Sequence, residues 1–180
     1  MLFRSYGRGE LHPSSDIDIL LLVRQESGGV QRERIAAFVT SLWDIGLEVG
    51  HSVRTLEECV SHAGADITVA TSLMESRLLK GGQVLYRALV EATGPGRIWT
   101  SQEFFAAKWR EQQERHAKYH DTAYRLEPNV KEGPGGLRDI QMIGWVAKRH
   151  FGAATLHGLV EQGFLTEEEY QSLTAGQNYL

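Results

Sequence analysis

Residues 17–23 read IDILLLV, apolar at every position except Asp18. A continuous apolar run of this length predicts a strand buried on both faces and flanked by helices. Over residues 30–45, Ile35, Phe38, Val39 and Leu42 recur at helical spacing, and Gly46 follows as a helix stop. Residues 47–53 then alternate, with Leu47, Val49, His51 and Val53 on one face and Glu48, Gly50 and Ser52 on the other. Glu48 thus stands beside small neighbours. Beyond it the pattern turns helical, and three capping signals open successive helices: Thr55 with Glu58, Thr100 with Glu103, and Thr166 with Glu169. Residues 99–124 are expected as one long helix carrying Phe104, Phe105 and Trp109. Residues 126–139, LEPNVKEGPGGLRD, hold two prolines and three glycines, which impose a loop before a helix running to about Phe151 with Gly152 as its stop.

The expected class is therefore α+β: a small sheet with flanking helices, followed by an all-helical domain. The stretch ATGPGR, residues 92–97, marks the boundary and divides the chain into domains 1–95 and 96–180. At 180 residues with 42% hydrophobic content, the chain suffices for one ordinary core or a small core with a helical annex. The formal charge of −4 is mild and the basic residues are scattered, which argues against a long nucleic-acid partner and favours small anions or proteins. Cys59 is the only cysteine, so internal disulfides and multi-cysteine metal sites are excluded. No segment reads as a signal peptide or a membrane span, and the expected compartment is the cytoplasm.

The chemistry concentrates at the mouth of the first apolar run. Asp16 and Asp18 are two residues apart at the start of a strand, so their side chains share a face and their oxygens can converge on hard cations. Two magnesium ions roughly 3.5–4 Å apart activate an attacking oxygen and stabilise a departing pyrophosphate. A lone Asp-x-Asp also fits a plain polar strand entrance. Upstream, SYGRGELHPSSDID places Ser5, Gly7 and Gly9 around Arg8. Glycines admit phosphate oxygens to backbone amides, a hydroxyl adds a donor and an arginine neutralises charge. An ordinary glycine-rich turn accounts for the glycines but not for the adjacent acids.

These residues carry a resemblance. YGRGELHPSSDID resembles the signature of the nucleotidyltransferase superfamily related to DNA polymerase beta, and Glu48 within LEVG matches its third acidic position. More narrowly, YGRGELHPSSDIDILLL, LWDIGLEVGHSVRTLEEC, DITVATSLMESRLLKG and EPNVKEGPGGLRDIQMIGWVAKRHFG are similar to the bifunctional uridylyltransferase/uridylyl-removing enzymes that act on the nitrogen-regulatory protein PII. The similarity runs over nearly the whole chain, and its last stretch is the most specific. Two departures stand out. Arg4 occupies a place where the family pattern has glycine, and little of the strand leading into the loop is present, so the sequence reads as a fragment with its first strand truncated.

The resemblance implies a polymerase-beta-like sheet and a magnesium-dependent transfer of uridylyl from UTP to a tyrosine of PII, with release of pyrophosphate, in nitrogen-status signalling. Asp16, Asp18 and Glu48 would be catalytic and metal-binding. Ser5, Gly7, Arg8, Gly9 and Ser15 would bind the nucleotide. The attacking phenol titrates near about 10, so it needs a base or a cation to become nucleophilic at neutral pH. Two other readings stay open: a nucleotidyltransferase with a different acceptor, and an inactive nucleotide- or protein-binding piece.

Other residues weigh less. His116 and His120 have zinc-compatible spacing but no third ligand nearby, so a solvated helix face is expected; His120–Asp121 lacks the further ligands a phosphohydrolase needs. His51 is expected in the core. Lys131 and Arg138 are expected on a solvated loop, and Trp99, Trp109 and Trp145 between helices.

Overall fold

The computed structural model describes residues 17–24, 28–119, 129–152 and 156–179. The chain divides into two compact units, Met1–Gly94 and Pro95–Leu180. Among the described residues it contains eight helices and one two-stranded sheet, an α+β architecture. No helix among them is long and apolar enough to cross a membrane.

In the first unit, strand β1 (Ile17–Leu22) pairs in parallel with β2 (Val49–Arg54), and helix α1 (Gly29–Asp44) lies between them in the chain. Parallel neighbours require such a crossover, because a tight turn cannot return the chain to the same end of the sheet. The register sets Ile17 against Val49, Asp18 against Gly50 and Leu20 against Ser52. Helices α2 (Leu56–Ala65), α3 (Ile67–Met74) and α4 (Gln83–Ala92) complete the unit. Its core gathers Leu20, Val39, Cys59, Ala63, Leu73 and Leu89.

Local chemistry explains the boundaries. Helix α1 ends in a Schellman motif: the Gly46 N–H donates to the Trp43 carbonyl at 2.8 Å and the Leu47 N–H to the Leu42 carbonyl at 3.1 Å. Gly46 adopts φ +84°, a left-handed value that a Cβ would disfavour. Helix α2 opens on a reciprocal capping box in which the Glu58 N–H donates to Thr55 Oγ1 at 3.2 Å and the Thr55 N–H to Glu58 Oε2 at 2.7 Å. Asp66 separates α2 from α3, and its Oδ1 accepts the Thr68 N–H at 2.7 Å.

The second unit is helical among its described residues: α5 (Ser101–Lys118), α6 (Leu137–Phe151), α7 (His157–Glu161) and α8 (Glu167–Tyr179). Phe104, Met142, Trp145 and Leu159 are buried there. Arg149 is buried with them; it donates to the Trp99 carbonyl at 2.8 Å and faces the Phe104 ring.

Four expectations need correction. Strand β1 is fully buried only at Leu20, because β2 is its single partner among the described residues. Helix α5 starts at Ser101 and ends at Lys118, where the Tyr119 N–H turns back to the His116 and Ala117 carbonyls and tightens the last turn. Residues 137–139 belong to helix α6 rather than to the loop before it. Phe38 is exposed, so the apolar stripe of α1 is narrower than its spacing suggests, with Val39 at its buried centre.

Candidate functional site

An open cleft of about 680 Å³ sits where β1 and β2 begin, lined by Asp18, Trp43 and residues 46–50. Its shape follows from two local events. The Schellman turn at Gly46 ends α1 and sends Leu47 and Glu48 back toward the sheet. The Glu48 carbonyl then accepts the Ile17 N–H at 3.4 Å, which sets Glu48 immediately before β2 and beside the start of β1.

Asp18 is the second residue of β1 and lies in register with Gly50. Paired residues in a parallel ladder share a face, so the Asp18 side chain leans over the place where residue 50 would carry its own. A Cβ built on Gly50 would lie 2.9 Å from Asp18 Oδ1. The carboxylate occupies space that only glycine leaves free, and its Oδ2 is buried. Strand alternation puts Glu48 on that same face, and it is exposed at the cleft. Two carboxylates, one with a buried oxygen and one exposed, thus line one cavity. Hard oxygen donors of this kind suit a divalent magnesium, and the Gly50 notch provides room for the carboxylate that would hold it.

Of the residues singled out in the sequence, the structure brings together Asp18 and Glu48. Asp16, Ser5, Gly7, Arg8, Gly9 and Ser15, together with Arg4, lie outside the described residues, as do His120 and Asp121. Among the described residues no three acidic, histidine or cysteine side chains are grouped as metal ligands.

Trp43 was no candidate in the sequence, yet it lines the cleft and is half exposed. Its indole N–H donates to the Val49 carbonyl at 3.2 Å. Because the Glu48 carbonyl points to β1 and successive carbonyls alternate, that of Val49 points to the outer edge of β2, where the indole satisfies it. Its ring meets His51 edge to face, with centroids 5.8 Å apart. His51 is therefore exposed at the sheet edge rather than in the core.

His116 also departs from expectation. It sits with Gln112 and Arg115 around the Asp139 carboxylate, its Nε2 2.9 Å from Oδ2. Gln112 donates to Oδ1 at 2.9 Å and the Gly135 N–H to Oδ2 at 2.8 Å. Burial acts to raise the Asp139 pKa, but donors from Gln112, Gly135 and His116 outweigh it and hold the carboxyl below its ordinary value. The cluster ties α5 to the start of α6 and to the glycine-rich loop. Lys131 is exposed on that loop as expected, whereas Arg138 bonds Glu132 and Gln141 from the first turn of α6.

Comparison with known proteins assigns the class. The nucleotidyltransferase domain family matches residues 1–70, the span that contains β1, β2 and the cleft. The front of the chain is a nucleotidyltransferase domain. The family described as GlnD PII-uridylyltransferase matches residues 103–180. Over 175 residues, 97% of its length, the chain is 55% identical to the bifunctional uridylyltransferase/uridylyl-removing enzyme of Stutzerimonas stutzeri, covering 19% of that protein. Identity to the proteins of the same name from Azotobacter vinelandii and Nitrosococcus oceani is 56% and 54%, each with 20% of the relative covered. The chain belongs to the bifunctional uridylyltransferase/uridylyl-removing enzyme family. It spans about a fifth of the length of these relatives. No solved structure matches it.

Proposed function

We propose that this chain carries the nucleotidyl-transfer chemistry of its family: transfer of uridylyl from UTP to a tyrosine of PII, with release of pyrophosphate. The observation that supports this most directly is the shared cleft of Asp18 and Glu48, with Gly50 leaving space for the Asp18 carboxylate. The transfer belongs to domain 1–95. Domain 96–180 is the uridylyltransferase-associated helical part. The reaction is assigned to the cytoplasm, where the substrates UTP and PII meet.

In this scheme Asp16, Asp18 and Glu48 would hold magnesium, which supplies charge neutralisation of the triphosphate. Ser5, Gly7, Arg8, Gly9 and Ser15 bind the β- and γ-phosphates and orient the α-phosphorus toward the acceptor. Glu48, exposed at the cleft, accepts the phenolic proton as the tyrosine oxygen attacks. A bond forms between that oxygen and the α-phosphorus while the bond to the bridging oxygen breaks in line, and pyrophosphate leaves with its electron pair.

The test is label transfer from α-labelled UTP to PII in the presence of magnesium. The native chain is expected to label PII. Since losing a residue that merely orients a metal ligand costs 10- to 100-fold, Asp18→Asn should reduce transfer by more than about 100-fold, with its urea midpoint close to the native one. Transfer by the variant at the native rate would remove Asp18 from the reaction. Label on a different acceptor alone would leave a nucleotidyltransferase but reject PII as its target.

A further inference from the structure

The cleft has one wall that the carboxylate chemistry leaves unused. Trp43 and Leu47 line it, and Ile45 stands in the turn between them; all three are exposed. Single exposed apolar residues are ordinary on a protein surface, but here two within five residues of the chain line one cavity. Trp43 is held at two points, by its bond to the Val49 carbonyl and by the His51 ring. A ring fixed in this way loses little freedom when a second ring packs on it.

From this placement we infer that Trp43 and Leu47 form the seat of the acceptor's tyrosine side chain. The inference rests on the proposed transfer reaction and names the part of the cleft that selects its protein substrate. The wall shares its cleft with Glu48, the residue assigned to take the phenolic proton. The nucleotide's phosphates are assigned to the residues preceding β1. An aromatic side chain lying on the indole would present its hydroxyl to Glu48, which lines the same cleft. Offset or edge-to-face contact between two rings gives such a seat both affinity and orientation. The cleft is acidic, with Asp18 and the exposed Glu48 in its lining, so a neutral or basic tyrosine-bearing segment fits and an acidic one is repelled.

Trp43 thus acts as a specificity-determining residue, and its contribution reads out in acceptor binding. The experiment is a titration of fluorescently labelled PII with the full chain, followed by anisotropy, alongside a separate titration of UTP. Trp43→Ala is expected to weaken PII binding about tenfold and to leave UTP binding unchanged. Trp43→Phe, which keeps a ring, should stay within about threefold of native. Leu47→Ser removes apolar surface without touching the indole bond, and should weaken PII binding by at least about threefold even if Trp43→Ala compromises the fold. Native affinity in both Trp43→Ala and Leu47→Ser, no PII binding by the native chain, or a loss confined to UTP would overturn the inference. Asp18→Asn is expected to bind PII like the native chain; if it also transfers label normally, the carboxylate assignment fails while the acceptor seat stands.

Discussion

Gly50 is the residue on which the candidate site turns. Its φ is not in the left-handed region, so alanine is conformationally allowed there, and the constraint is space alone. The atom in the way is a carboxylate oxygen at the end of a mobile side chain, which can rotate aside at small energetic cost. Replacing a strand glycine also removes freedom from the unfolded chain, an effect of about 0.4–1 kcal/mol in favour of the variant. Gly50→Ala is accordingly expected to unfold within about 1 kcal/mol of native in urea, while label transfer falls at least about tenfold because Asp18 has been displaced. Native transfer by this variant would show that the Asp18 position is not critical. The contrast between an unchanged midpoint and a lost activity separates this residue from those that serve only the fold.

At the level of elements, the Asp139 cluster does for the helical unit what the Schellman turn does for the cleft. Three side chains on one face of α5 and one backbone N–H of the glycine-rich loop converge on a single carboxylate in the first turn of α6. An acid in that turn is also favoured by the helix dipole. Its Oδ1 accepts from Arg115, 24 residues away in the chain, so the contact fixes α5 to α6. Removing one partner from a largely buried ionic cluster leaves the others uncompensated. Asp139→Asn should therefore destabilise the protein by on the order of 3 kcal/mol in urea. The pH dependence follows from the lowered pKa. The unfolded carboxyl titrates near about 3.9 and the folded one lower, so the stabilisation is complete above the unfolded value and is lost as pH falls through the folded one. Acid titration of stability should show this loss in the native chain and a smaller one in the variant; parallel profiles would rule out Asp139 as its source.

On the scale of the molecule, the protein joins a mixed sheet-and-helix unit to a helical one, and each has its own buried interior. Cys59 reports on the first. Burial pushes its thiol up to about 11, with Arg54 offsetting part of that rise. The nucleophilic thiolate is then scarce at pH 8, and the sulfur sits where reagent cannot reach it in the closed state. Alkylation is expected to be at least about a thousandfold slower in native buffer than in denaturing urea, reflecting the opening of this unit. Rapid native labelling would instead reveal local opening of α2.

The sequence by itself determined the pieces governed by near neighbours. Thr55 with Glu58 and Thr100 with Glu103 close capping boxes within four residues, and Gly46 stops α1 through the hydrogen bonds of a single turn. It also carried the pattern that resembled the uridylyltransferase family, including Asp18 and Glu48. Only the tertiary structure decided that Asp18 faces Gly50, that Trp43 borders the cleft and that His116 serves Asp139 rather than a solvated face. Each of these depends on strand register or helix packing between segments distant in the chain. Periodicity gives the side of an element that a residue occupies; what stands opposite is set by the packing of the whole unit.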